Sequence, residues 1–338
     1  MVRLTVHRTA WLQHVHDVAD SYGDALVPVV KGNGYGFGRS VLFDLVGDGL
    51  GSSDELRRHD VCVGSVHELA DVPSTLRPVV LTPVLAPPPP DRPGHRAAVL
   101  TVGSEAHVDA LAGWAGAVMV KLRSSMHRYG VGPDGLESLV RRVAAANLDI
   151  AGFALHLPLA GDDAARRREA VAWLEHLDAL PQGLGAGELW LSHLAPDALG
   201  ALAAHHGQRR IRIRVGTMLW HGVPRGEFAH LGAQVLQLQP VRAGDSVGYR
   251  DGVAPADGTV VCIGAGSSHG VRPLDHPEPA RRSPFHFARR RLALVERPHM
   301  HTSLCFVPVG EPCPAVGDMV DVQQPLIDVR CDEIEWRP

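Results

Sequence analysis

The feature that most restricts how this chain can fold is an alternation. Between about residues 10 and 222, eight short apolar, β-rich runs occur, at 26–30, 61–64, 79–82, 98–102, 117–122, 150–155, 189–191 and 211–215. Between them lie Ala- and Leu-rich stretches with helical spacing, such as 136–145 and 165–180. A near-continuous apolar strand is buried on both faces, the condition of a parallel sheet covered by its crossover helices. Eight strand–helix units are the number that closes such a sheet into a (β/α)8 barrel. After about residue 223 the helical periodicity fades. Runs at 234–238, 259–263, 292–295, 304–309 and 319–322 are separated by Gly and Pro, and Gly-Asp pairs at Gly244-Asp245 and Gly317-Asp318 precede β runs. That texture predicts a smaller, mostly antiparallel β domain. The expected division is a barrel over 10–225 and a β domain over 226–338 that also takes residues 1–9.

Charge excludes several classes of partner. The net charge of -4 offers no general attraction to nucleic acid or an anionic membrane. Arg281, Arg282, Arg289, Arg290 and Arg291 form one local basic cluster, read as a solvated face. No run of eighteen apolar residues occurs, and the opening Met1-Val-Arg-Leu-Thr-Val has no apolar signal core, so neither membrane spanning nor secretion is expected. Five scattered cysteines without a C-x-x-C pair suit reduced thiols in a cytoplasm.

In a (β/α)8 barrel the functional side chains come from the C-terminal ends of the strands. Those positions hold Lys31, Lys121 to Arg123, His156, Ser192-His193 and Arg214, a concentration of ionisable groups that argues for an active site. Lys31 ends the run Val27-Pro-Val-Val, where desolvation lowers an amine's pKa toward what imine formation requires. A structural lysine capping a strand is the competing reading. The following Gly32-Asn-Gly-Tyr-Gly-Phe-Gly could let backbone approach a ligand, but it has neither Walker A nor G-x-G-x-x-G spacing.

Val29-Val-Lys-Gly-Asn-Gly-Tyr-Gly-Phe-Gly resembles the V-V-K-A-N-A-Y-G-H-G phrase of alanine racemases, fold-type III pyridoxal-phosphate enzymes. The resemblance implies that Lys31 is the Schiff-base lysine and a catalytic base, and Tyr35 a ligand of the cofactor phosphate. Val120-Lys-Leu-Arg-Ser-Ser-Met-His-Arg-Tyr-Gly is similar to the family's L-K-V-D-T-G-M-x-R-x-G. It implies that Arg128 binds substrate near the cofactor and that Lys121, when carbamylated, orients that arginine. Arg214-Val-Gly-Thr-Met-Leu-Trp-His-Gly resembles R-x-G-I-x-x-Y-G, assigning Arg214 to the pyridine nitrogen and the backbone of Gly216 and Thr217 to the phosphate. His156 falls in the family's G-x-x-T-H phrase, beneath the ring. Tyr249, in Val247-Gly-Tyr, would be the second catalytic base, delivered to the active site of the other subunit of a homodimer. Met300 would touch the substrate carboxylate through its backbone. The expected activity is a two-base Lys/Tyr racemase of an amino acid, with L-alanine the default by resemblance.

Several phrases depart from the family pattern. Ile263-Gly-Ala-Gly-Ser-Ser-His-Gly stands where I-G-Y-A-D-G is expected, so Ala265 replaces a tyrosine. Ser192 is a weak counterpart of the family's phosphate serine, and Trp336 stands for a phosphate-binding tyrosine. His299-Met-His301 replaces C-M-D. On a strand, His299 and His301 would face one side and could chelate a metal, with His269 a speculative third ligand. Metal-free histidines are the preferred reading. The alternative function is a metal-assisted D-amino-acid lyase of the D-serine dehydratase or D-threonine aldolase type. A decarboxylase of the same fold lacks its C-D-G-x-D phrase here, and a cofactor-binding protein without turnover would be a barrel alone.

Overall fold

The computed structural model describes residues 1–50, 60–89, 97–206, 209–222, 227–250 and 252–338. They form two compact units, one of residues 13–34 and 39–223, the other of 1–12, 35–38 and 224–338. The expected domain boundary at 225/226 lies outside the described residues. The second unit recruits 35–38 as well as the chain's start, so Tyr35 and Lys31 fall in different units.

After β1 (Val2–His7) and α1 (Arg8–Tyr22), the barrel strands are β2 (Leu26–Pro28), β3 (Asp60–Val63), β4 (Arg77–Pro83) and β5 (Val99–Val102). They continue as β6 (Ala117–Leu122), β7 (Asp149–Leu155), β8 (Glu188–Ser192) and β9 (Ile211–Val215). All pair in parallel, in the order β2-β9-β8-β7-β6-β5-β4-β3. A parallel bridge between Val29 and Cys62 joins the two ends and closes the barrel. The helices α2 (Arg39–Asp48), α3 (Glu105–Asp109), α4 (Pro133–Ala145), α5 (Asp163–Asp178), α6 (Pro196–His205) and α7 (Thr217–His221) follow in turn. In α4 the positions Leu136, Leu139, Val140 and Val143 are buried, the three- and four-residue spacing that puts one face on the sheet. Asp162 caps α5 by accepting from the Ala165 amide at 2.7 Å. The crossover after β3 is a 3-10 turn, Val66–Asp71, where the sequence pattern leads one to expect a helix.

The lower rim of the barrel is held by charge. Asp60 accepts from Arg77 Nε and Arg212 Nη1, both at 2.5 Å, and Arg212 lies 3.6 Å from Glu188 Oε2. Arg212 also stacks over the Trp190 ring at 4.7 Å.

The other unit is built on the long strand β10 (Ala229–Val241). Its remaining strands are β11 (Ser246–Val247), β12 (Gly252–Val253), β13 (Gly258–Ile263), β14 (Phe285–Phe287), β15 (Arg290–Arg291), β16 (Ala293–Leu294), β17 (Ser303–Pro308), β18 (Met319–Val322) and β19 (Glu333–Arg337). β10 pairs antiparallel with β1, β13 and β18, and β1 pairs in parallel with β19. The expected strand at 292–295 shortens to β16. β1 and β19 escape a search for apolar runs because their outward positions are polar. Trp11, Phe37 and Trp336 cluster, with centroids 4.8 Å (Trp11–Phe37) and 5.2 Å (Trp11–Trp336) apart. Among the described residues no helix is long and apolar enough to cross a membrane.

Candidate functional site

The strand order brings Lys31, Lys121, Arg128, His156, His193 and Arg214 to the upper mouth of the barrel. Lys31 follows the buried pair Val29 and Val30 and is itself accessible. Gly64 makes room for it: a Cβ there would sit 3.3 Å from Lys31 Cβ and 3.0 Å from Glu68 Oε2. Glu68 accepts from the Gly32 and Gly64 amides, at 3.0 and 2.6 Å, and so ties the ends of two strands together. The Lys31 ammonium is pushed below the ordinary lysine range by partial burial first, then by Arg128 and Arg214, with Glu68 opposing.

Lys121 is buried near the end of β6, and burial followed by the charges of Arg214 and Arg128 holds its ammonium well below the usual value. Arg214 is buried on β9 and donates to Leu155 O at 2.7 Å and Leu191 O at 3.2 Å. Burial, then Arg214, takes the His156 imidazole to about 2, and the same two causes take His193 to about 4. Both rings are therefore neutral at ordinary pH, and they meet edge to face at 4.9 Å. Ser192, at the end of β8, accepts from the Leu157 amide at 3.0 Å. Arg128 lies on the exposed segment after β6, over the Tyr129 ring at 5.0 Å. Gly216 follows β9 and caps the start of α7, which Thr217 opens.

Sequence reasoning did not single out Glu68 or the His156–His193 pair. Glu68 sits in a turn rather than at a strand end. His193 was visible only as a strand-end residue, and its left-handed φ of 60° gives no sequence signal. The glycine-rich segment serves the backbone itself. At Gly34 (φ +64°) a Cβ would fall 2.5 Å from Arg39 N, and at Gly36 (φ +91°) 3.0 Å from Leu326 Cβ. Tyr35 between them is buried, also with positive φ.

In the β unit, Tyr249 is 85% exposed and its ring lies 4.4 Å from that of His299. The expectation that His299 and His301 share a strand face is wrong. Residues 299–301 form a turn, closed by the His299 amide donating to Thr302 O at 2.8 Å and gripped by the Ser267 and Ser268 amides. In that turn the two rings take different neighbours. His299 Nε2 meets Glu296 Oε1 at 2.5 Å, whereas His301 Nδ1 meets Ser268 Oγ at 3.0 Å. His269 accepts from the Gly266 amide at 3.1 Å, with its other nitrogen 3.4 Å from Asp332. Among the described residues no three His, Cys, Asp or Glu side chains converge as a metal site. Met300 is exposed, and its carbonyl accepts from Ser268 N and Oγ.

Residues 6–224 match the family described as alanine racemase, N-terminal domain. Similar solved structures include the biosynthetic alanine racemase of Pseudomonas aeruginosa, 20% identical over 100% of this chain and 99% of that one, with a TM-score of 0.70. Alanine racemase of Clostridium difficile 630 is 14% identical over 99% and 96%, with a TM-score of 0.74. That of Bartonella henselae, with covalently bound pyridoxal phosphate, is 17% identical over 96% and 91%, with a TM-score of 0.68. At these identities the likeness is one of fold. No curated protein matches the sequence.

Proposed function

The chain belongs to the alanine racemase N-terminal-domain family, and from that premise we propose that it is a pyridoxal-phosphate-dependent racemase of a small amino acid, acting as a homodimer. The observation that carries the reading is the charge of the barrel mouth. Arg128 and Arg214 raise the electrostatic cost of charging Lys31, Lys121 and the two imidazoles beside them. Such a site calls for anions, and an accessible amine with a lowered pKa calls for an aldehyde. Pyridoxal phosphate brings both an aldehyde and a phosphate, so the donor set fits it.

Lys31 would hold the cofactor through Nζ, Arg214 its ring nitrogen, His156 the face of its ring, and the Gly216 and Thr217 amides its phosphate. Tyr35 is assigned to the phosphate by its motif alone. When bound, the cofactor withdraws electrons from a substrate amino acid and acidifies its Cα proton. Lys31 Nζ would move that proton on one face, and the hydroxyl of the partner subunit's Tyr249 on the other. Arg128 would orient the substrate carboxylate, and Met300 is assigned to that group by its motif alone. Burial favours the neutral form of the Lys121 amine, and carbamylation would convert that amine into an anion facing Arg128 and Arg214. The divergent partners of His299 and His301 give the metal-assisted lyase reading no support. Incubation of the cofactor-loaded protein with single L- and D-amino acids in heavy water tests the proposal. Inversion with solvent deuterium at Cα is expected; release of ammonia or aldehyde without inversion would overturn it.

A further inference from the structure

The β unit contains a small assembly around Tyr249 that the racemase reading leaves unused. Glu296 is the centre of it. Its side chain is only 7% exposed, and Oε1 accepts both from the Tyr249 amide at 3.0 Å and from His299 Nε2 at 2.5 Å. Burial would raise the Glu296 carboxyl, but the Tyr249 amide, the His299 ring and the Arg250 amide together hold it below the ordinary range. The same carboxylate thus grips the backbone that carries Tyr249 and the imidazole that packs on its phenol at 4.4 Å.

Two glycines make the arrangement possible. At Gly248 (φ +84°) a Cβ would overlap Glu296 Oε1, so the residue before Tyr249 must lack a side chain for the carboxylate to reach the chain there. At Gly266 a Cβ would overlap His299 O, and the Ser267 amide donates to that same oxygen at 2.7 Å. His299 is therefore fixed at its backbone and at its ring, and Tyr249 at its backbone and along one face. Tyr249 as a whole remains 85% exposed.

We propose that Glu296 and His299 form a clamp that positions Tyr249 for proton transfer. This inference rests on Tyr249 being the second base of the proposed racemase. Neither residue need touch substrate; both are positioning residues. A phenol on an otherwise free loop would sample many orientations, and a displacement of about 1 Å at a reacting group can cost about 100-fold in rate. The clamp restricts that freedom before a substrate arrives.

The chain has four tyrosines, which makes a direct test practical. The full-length protein is labelled with 3-fluorotyrosine, and the Tyr249 resonance is identified by its loss in Tyr249→Phe. In Glu296→Gln and in His299→Gln that resonance is expected to shift and narrow while the other three stay in place. The cofactor-loaded variants are then assayed with alanine deuterated at Cα, each enantiomer separately. An expected fall in kcat of about 10- to 100-fold should come with little change in KM. The substrate isotope effect should rise for the enantiomer deprotonated by Tyr249 and fall for the one deprotonated by Lys31, because only one of the two proton transfers is slowed. A Tyr249 resonance that does not move in either variant overturns the clamp. A resonance that moves while both isotope effects stay unchanged or change alike overturns the role of Tyr249 as the second base.

Discussion

Asp60→Asn should destabilise the protein by about 3 kcal/mol and leave cofactor affinity unchanged. The carboxylate sits at the lower end of the barrel between Arg77 and Arg212, at 2.5 Å from each. The Arg77 side is 47% exposed, so its share is small, within about 1 kcal/mol. Arg212 is different: its side chain is 3% exposed, and breaking a buried pair of that kind costs about 3–5 kcal/mol. Glu188 remains 3.6 Å from Arg212 and the amide oxygen of Asn can still accept one bond, which puts the expectation at the low end. The sign of the pH dependence follows from the same contacts. Burial alone would raise the Asp60 carboxyl, but the bonds from Arg77 and Arg212 outweigh it and hold the group below the ordinary range. The contribution is therefore fully present above the unfolded value of about 3.9, and is lost as pH falls through the lower folded value. Urea denaturation of both proteins at neutral pH and along an acid series measures it. A loss under about 1 kcal/mol, or an equal acid limb in Asp60→Asn, would refute the reasoning.

Lys121→Met should stabilise the cofactor-free protein at pH 7 by about 1 kcal/mol or more, while removing activity. The folded-state pKa of Lys121 is lowered, so its penalty is full at low pH and vanishes as pH rises to the unfolded value of about 10.4; calorimetry across pH should find that slope in the parent and not in the variant. In the native protein an aromatic disulfide reagent should find Cys313 first, because it is exposed. Cys62 and Cys305, buried and pushed up to about 12 by that burial, should react only on unfolding, and early modification of Cys62 would contradict the packing of the barrel interior.

The barrel was legible because its strands are buried on both faces and need few polar outward positions, so runs such as 98–102 and 150–155 stand out as uncharged, mostly apolar blocks. The strand-end residues were legible for a related reason: Lys31 and His156 follow those runs where the backbone leaves the sheet, and Arg214 stands one residue before β9 ends. β1 and β19 were not, since strands with one solvated face mix Arg and Glu with Val and Ile. The histidines of 299–301 were misplaced because a two-residue spacing implies a shared face only in extended chain, and the pull of Ser267 and Ser268 on that segment is tertiary. Glu68 and Glu296 act through backbone amides far along the chain, and no local pattern marks such a role.

The central proposal is that Lys31 is the amine that holds the cofactor. The protein is loaded with pyridoxal phosphate, reduced with borohydride, digested and mapped by mass spectrometry. One pyridoxyl-phosphate adduct is expected, on the Lys31 peptide, absent after Lys31→Ala. An adduct on Lys121 instead, or no adduct in protein whose fold is intact, would contradict it.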